Sequence, residues 1–97
     1  MEWEVRQSPA FRAWVLSLRD STARATILRR IDRIAVGNFG DVKSVGGGIS
    51  ELRVDHGPGF RIYFVRRGET LVVILCAGDK GSQSKDVARA KALAQEI

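Results

Sequence analysis

Three consecutive segments in the second half of the chain constrain the fold most strongly. Residues 49–55 and 60–67 alternate between apolar and polar side chains, as half-buried strands do, and residues 71–77 are apolar on both faces, as in a central strand. The stretch His56-Gly57-Pro58-Gly59 separates the first two segments and Arg67-Gly68-Glu69 the last two, and both stretches are typical of turns. The pattern therefore predicts an antiparallel meander, preceded by a short strand around residues 43–45.

The first third of the chain predicts two amphipathic helices. Ser8 is typical of an N-cap and Pro9 of a first helical position. The apolar residues that follow share one helical face, namely Phe11, Trp14, Val15 and Leu18. A second helix begins after Asp20 or Ser21 and ends at Gly37-Asn38, since glycine and asparagine tolerate the left-handed backbone of a helix end. Because only a short turn separates the helices, we expect an antiparallel hairpin.

One strand and one helix are predicted at the two ends of the sequence. Residues 3–6 alternate, which indicates a short strand. Ser82 or Ser84 can cap a last helix, whose apolar stripe is Val87, Ala90, Leu93, Ala94 and Ile97. The fold class is therefore α+β, with an N-terminal strand and a helical hairpin packed on a small antiparallel sheet. The C-terminal helix either covers the other face of the sheet or extends to a partner.

Size, charge and cysteine content narrow the classes of function. The length predicts a single domain over residues 1–97. Lysine and arginine number 16 against 11 acidic residues, and a net charge of +5 favours polyanionic partners. Cys76 stands alone and fits a small buried hydrophobe, so we expect no internal disulfide and a cytoplasmic location. The N-terminus carries acid where a signal peptide would carry base, and no apolar run is long enough to cross a membrane.

Several kinds of active site are not expected from this sequence. One histidine and one cysteine make a transition-metal site improbable, and no cofactor is predicted. The glycines around residues 46–48 lack the Gly-Lys-Ser/Thr sequence of a nucleotide-binding P-loop. A catalytic Ser-His-Asp triad would need His56, which lies in a turn with no nucleophile elbow nearby.

A cluster of cations is predicted on one face of the meander. Alternation places Phe60, Ile62 and Phe64 on the core face and Arg61, Tyr63 and Val65 on the opposite face. Arg53 lies on the preceding strand and is expected next to Arg61, because the turn between the two strands is tight. Lys80 follows the central strand and Lys43 lies on the short strand before the glycines.

These side chains suit a phosphodiester substrate. Guanidinium groups bind phosphate oxygens in a bidentate manner. In RNA cleavage the 2′-hydroxyl attacks the adjacent phosphate, and preorganised cations stabilise the negative charge of the transition state. Tyr63, Glu51 and Asp79 are the candidates for proton transfer, and Tyr63 could also stack on a base.

Each candidate also has a structural interpretation. Arg53 could simply pair with Glu51 or Asp55 on the sheet surface, and Arg61 could be only its cross-strand neighbour. Lys43 and Lys80 could be surface charges. Tyr63 could be an ordinary strand aromatic, and His56 a turn residue.

Nearly the whole chain, from about Phe11 to Leu93, resembles the RelE/ParE superfamily. The resemblance is carried by Phe11-x-x-Trp14, Arg30-Ile31-x-Arg33-Ile34, Gly37-Asn38-Phe39-Gly40-Asp41-Val42-Lys43, Glu51-Leu52-Arg53, Gly57-Pro58-Gly59-Phe60-Arg61-Ile62-Tyr63-Phe64 and Gly78-Asp79-Lys80. Among the branches of this superfamily, the chain is most similar to the HigB-like, phage-derived addiction module killer proteins.

The resemblance implies a microbial RNase-like fold and a metal-independent toxin that cuts messenger RNA, usually in the ribosomal A site. The family's phosphate-binding and basic positions match Arg53, Arg61 and Lys80, with Lys43, Tyr63 and His56 as further candidates. The implied partner is a helix-turn-helix antitoxin, through which the complex would bind operator DNA. Alternatives are a gyrase inhibitor like ParE, or a non-toxic module that binds only its antitoxin and operator.

The chain departs from RelE in two respects that concern proton transfer. Glu51 and its neighbours stand where RelE has lysines, and the C-terminal tyrosine of RelE has no clear match. The resemblance therefore assigns the phosphate-binding residues and leaves the proton carriers open.

Overall fold

The computed structural model describes residues 2–97, so Met1, which belongs to the predicted domain of residues 1–97, lies outside the described residues. The described residues form a mixed sheet flanked by helices. In chain order the elements are β1 (Glu4–Gln7), α1 (Pro9–Ser17), α2 (Ser21–Ala35), β2 (Val42–Gly46), β3 (Ile49–Val54), β4 (Phe60–Arg67), β5 (Leu71–Asp79) and α3 (Gln83–Ala94), with a 3₁₀ turn over Lys80–Ser82 between β5 and α3.

The sheet has the strand order β1-β5-β4-β3-β2. Strands β2 to β5 form the predicted antiparallel meander. The N-terminal strand β1 pairs with β5 in parallel, with Glu4 opposite Leu71. Strand β5 therefore lies inside the sheet, between β1 and β4, which agrees with its apolar residues on both faces.

The helical hairpin begins and ends at residues that the sequence marks. The Ser8 hydroxyl accepts a hydrogen bond from the Phe11 amide at 3.0 Å and caps α1. Asp20 caps α2 by accepting from the amides of Thr22 and Ala23, so Asp20 and not Ser21 is the N-cap. Gly37 follows α2 with a φ of 90°, a left-handed conformation that glycine adopts without a steric penalty.

The principal core lies between this hairpin and one face of the sheet. Phe60, Ile62 and Phe64 point to this face, as their alternation predicts. They pack with buried residues of both helices, including Phe11 and Ile27. The core face of the meander was thus correctly predicted.

Helix α3 covers the opposite face of the sheet, so the first of the two expected arrangements is the one observed. Its residues Ala90 and Ala94 are buried against β4 and β5, in a second cluster that includes Tyr63. A bulge opposite Tyr63 and Phe64 turns both Leu75 and Cys76 toward this cluster.

The apolar stripe predicted for the last helix was wrong at its C-terminal residue, Ile97. The helix ends at Ala94, and Ile97 lies beyond it with 59% of its surface exposed. The α+β fold class, with the hairpin on a small sheet and a C-terminal helix, is confirmed. Between Glu2 and Ile97 the structure has no helix long and apolar enough to cross a membrane.

Candidate active site

An open cavity of about 350 Å³ lies at the end of the sheet where β3 ends, β4 begins and β5 runs into the 3₁₀ turn. Three of the predicted cationic residues line it. Its walls are Asp41, Arg53, Val54, Asp55, Gly57, Pro58, Gly59, Phe60, Arg61 and Lys80.

The strand register brings the three cations together. Arg53 of β3 lies directly opposite Arg61 of β4, and Arg61 lies opposite Gly78 of β5. Residues directly opposite each other on antiparallel strands point to the same face, so the two arginines are neighbours as predicted. The Lys80 amide donates to the Gly59 carbonyl at 3.2 Å, which holds the start of the 3₁₀ turn against the β3–β4 loop.

A buried carboxylate anchors both arginines. Glu51 of β3 has no exposed surface, and its Oε1 accepts from Arg61 Nη1 at 2.7 Å and from Arg53 Nε at 3.3 Å. The arginine side chains themselves are 13% and 40% exposed, respectively. Arg53 thus pairs with Glu51, as it would if its role were only structural. It also lines the cavity, where a substrate can reach it.

A third donor to this carboxylate comes from helix α3. The side-chain amide of Gln83, the first residue of α3, donates to Glu51 Oε2 at 2.6 Å. Sequence reasoning missed Gln83, because nothing local relates it to a residue 32 positions earlier. It considered Glu51 as a possible proton carrier or as a partner of Arg53, and not as an acceptor shared by both arginines.

Glu51 is held in its charged form. Burial raises the pKa of Glu51, but the hydrogen bonds from Gln83, Arg53 and Arg61 outweigh burial, so the pKa lies below its usual value. A carboxylate that stays ionised and has no contact with solvent is poorly suited to donate protons to a substrate.

Tyr63 lies on the predicted face of β4 but not at an accessible position. It has no exposed surface, since α3 covers it, and its hydroxyl makes no hydrogen bond of ordinary geometry to any residue from 2 to 97, although it interacts with the Glu51 carboxylate. Burial, followed by the negative charges of Glu51 and Asp86, raises the pKa of the phenol. The expectation that Tyr63 transfers a proton or stacks on a base conflicts with this burial, because a substrate in the cavity cannot touch it.

Lys43 and His56 lie outside the walls of the cavity. Lys43 is exposed on β2 and lies opposite Glu51 in the strand register, which places it beside the anchored arginines. His56 lies in the β3–β4 loop, and its Nε2 is 3.5 Å from Asp20 Oδ2, so it faces the N-terminus of α2.

The acidic residues around the cavity have separate roles. Asp79 caps the 3₁₀ turn by accepting from the amides of Gly81 and Ser82, so it is engaged in local structure. Asp41 and Asp55 are exposed and line the cavity with the cations. Among residues 2–97, no group of three or more histidine, cysteine or acidic side chains is arranged to hold a metal ion.

Comparison with known proteins places the chain in a family. Residues 13–97 match the family model "Phage derived protein Gp49-like (DUF891)". The chain belongs to this phage-derived family. It is also 45% identical over 97 residues to an uncharacterized protein of Haemophilus influenzae strain Rd, covering 100% of this chain and 98% of that protein.

The structure is similar to that of the E. coli toxin RelE, solved in the free state as a double arginine-to-alanine mutant. The TM-score is 0.75 over 95% of this chain and 96% of that chain, with 13% sequence identity. At this identity the similarity establishes a shared fold. The predicted RelE-like fold is thereby confirmed, and the family model confirms that the chain is a phage-derived protein.

Proposed function

We propose that this chain is the toxin of a toxin–antitoxin pair and that it cleaves messenger RNA without a metal ion. One observation carries the proposal, namely the open cavity in which Arg53, Arg61 and Lys80 converge. The Gp49-like family and the RelE fold support a toxin-like role. The target in this proposal is mRNA on the ribosome in the cytoplasm, and the partner is a helix-turn-helix antitoxin that neutralises the toxin by binding it.

The three cations suit the charge that develops during cleavage. The 2′-oxygen forms a bond to the adjacent phosphorus, the bond from phosphorus to the 5′-oxygen breaks, and the phosphate gains negative charge in the transition state. The leaving 5′-oxygen takes up a proton from water in the open cavity. Arg61 and Arg53 each keep N–H groups that Glu51 does not use, and these groups can bind the non-bridging oxygens. Lys80, which is exposed at the start of the 3₁₀ turn after β5, supplies a third cation.

The proton from the 2′-hydroxyl needs an acceptor that the substrate can reach. Glu51 and Tyr63 are buried, and Asp79 caps the 3₁₀ turn. Asp41 and Asp55 are the carboxylates on the cavity wall, so we assign the general base to one of these two. Asp41→Asn and Asp55→Asn, assayed separately, identify which of the two accepts the proton.

The test is induction of the chain without its antitoxin, followed by mapping of mRNA 5′ ends and measurement of DNA supercoiling. We expect growth arrest with new mRNA ends, and a loss of about 10²–10³ in cleavage rate for Arg61→Ala. Arg12→Ala is the matched control, since Arg12 is an exposed arginine on α1 whose removal should change nothing.

Each alternative function has its own outcome in this experiment. Arrest with intact transcripts and altered supercoiling would contradict the proposal and indicate a gyrase inhibitor. Normal growth of the induced wild type would indicate a module that binds only its antitoxin and operator DNA.

A further inference from the structure

The buried carboxylate of Glu51 needs a reason beyond folding. An ionised carboxylate without solvent contact is costly unless its oxygens are hydrogen-bonded. An apolar residue at this position on β3 would avoid that cost, since Ile49 on the same face of the strand is equally buried. What Glu51 adds is a fixed acceptor for two arginines that line the cavity.

The two oxygens of Glu51 are divided between the sheet and helix α3. Oε1 faces the arginines of β3 and β4, and Oε2 accepts from Gln83 of α3 at 2.6 Å. Because the terminal torsion of a glutamate side chain is soft, a bond to only one oxygen would leave the carboxylate plane free to rotate. With Gln83 bound to Oε2, the direction in which Oε1 points is set.

The hydrogen bonds to Glu51 leave both arginines able to bind phosphate. Arg61 contacts Glu51 through one terminal nitrogen, and Arg53 does so through Nε, so each guanidinium retains N–H groups for another acceptor. The single negative charge of Glu51 leaves one net positive charge on the pair. A neutral amide at position 83 fixes the carboxylate without changing that balance.

We propose that Gln83 is a positioning residue, which sets the orientation of Glu51 from α3 and through it aims the guanidinium groups of Arg61 and Arg53 into the cavity. The catalytic consequence rests on the proposed RNA cleavage, whereas the positioning itself does not. Helix α3 is then part of the active site although no α3 residue lines the cavity.

Gln83→Leu removes the donor and keeps the approximate volume of the side chain. We expect the slowly rotating guanidinium N–H signals of Arg61 in ¹⁵N NMR spectra to be broadened or lost. With an mRNA substrate on ribosomes, kcat should fall by up to about 10²-fold, as expected for catalytic groups displaced by a remote substitution. KM should change less, because the number of cations facing the RNA is unchanged.

Two further variants separate positioning from general damage. Gln83→Lys restores a donor to Oε2 and should recover the Arg61 signals, which are the readout for this variant because its ammonium group also changes the charge beside the pair. Ser84→Leu places the same apolar side chain on the adjacent, exposed position of α3 and should leave both readouts unchanged. A melting curve for each variant confirms that the fold is retained.

The outcomes distinguish this proposal from the proposed function. Loss of the Arg61 signals in Gln83→Leu, with recovery in Gln83→Lys, supports positioning even if the wild type cuts no RNA, in which case only the proposed function fails. Arg61 signals that stay unchanged in a folded Gln83→Leu protein would overturn the positioning role, whatever the cleavage rate.

Discussion

Replacing Tyr63 by phenylalanine should stabilise this protein and leave the proposed RNA cleavage intact. The hydroxyl of Tyr63 is buried and makes no hydrogen bond of ordinary geometry among residues 2–97, so its interaction with the Glu51 carboxylate offsets the cost of burial only in part. A buried polar group without a partner costs about 1–3 kcal/mol of stability. Phenylalanine removes this cost and keeps the ring that packs in the cluster beneath α3.

The expected gain in the free energy of unfolding is therefore at most about 1–3 kcal/mol, because the interaction with Glu51 is lost together with the hydroxyl. In a domain of this size, each 1 kcal/mol shifts the melting temperature by about 4–8 °C. Urea unfolding and a thermal melt of the wild type and Tyr63→Phe measure the change. Tyr63→Ala is the contrasting variant, which should lose about 3–5 kcal/mol because it leaves a cavity in the core.

Two results would refute this reasoning. If Tyr63→Phe unfolds at a lower urea concentration than the wild type, the hydroxyl makes a stabilising contact. If Tyr63→Phe folds normally but no longer cleaves RNA, the phenol takes part in catalysis and α3 must move to admit the substrate.

Three further perturbations test other parts of the structure. Gly78→Ala would place a Cβ 1.9 Å from Asp86 Oδ2, so we expect the free energy of unfolding in urea to fall by about 1–3 kcal/mol. Gly81→Ala is the milder control, because the nearest atom to its Cβ is 3.4 Å away. Because the pKa of Glu51 is held below its usual 4.5, the ionised carboxylate stabilises the fold above that pH, and this contribution is lost as pH falls through the lowered pKa. Glu51→Gln should therefore show a smaller loss of stability on acidification below pH 4.5, and an equal loss would contradict the ion-pair geometry. Ser8→Ala should cost about 1–2 kcal/mol, since the hydroxyl caps α1 and also donates to the Leu75 carbonyl at 2.5 Å, and an unchanged melting temperature would count against both bonds.

Local patterns predicted most of the elements and their boundaries. The alternation of Phe60, Ile62 and Phe64 assigned the core face of β4 correctly, because side chains on a strand alternate whatever its partners are. Ser8 and Asp20 marked helix starts because capping is a local hydrogen bond between a side chain and the next turn.

The parts of the site that sequence reasoning missed depend on contacts between distant residues. The adjacency of Arg53 and Arg61 was predicted because a tight turn joins their strands. Whether α3 covers the sheet was left open, and that placement decides that Tyr63 is buried and that Gln83 reaches Glu51. An amphipathic helix shows which of its faces is apolar, but not which surface that face will meet.

The parallel pairing of β1 with β5 has a consequence for how the chain folds during synthesis. Glu4 cannot form its strand pairing until Leu71, its partner in the register, has been synthesised. At about 5–20 residues per second, the ribosome makes this segment in roughly 3–13 s. For that time the apolar faces of α1 and α2 have no complete sheet to cover, and Lys80, on the cavity wall, is made later still. A growing chain therefore has no complete cation cluster until Lys80 has been made.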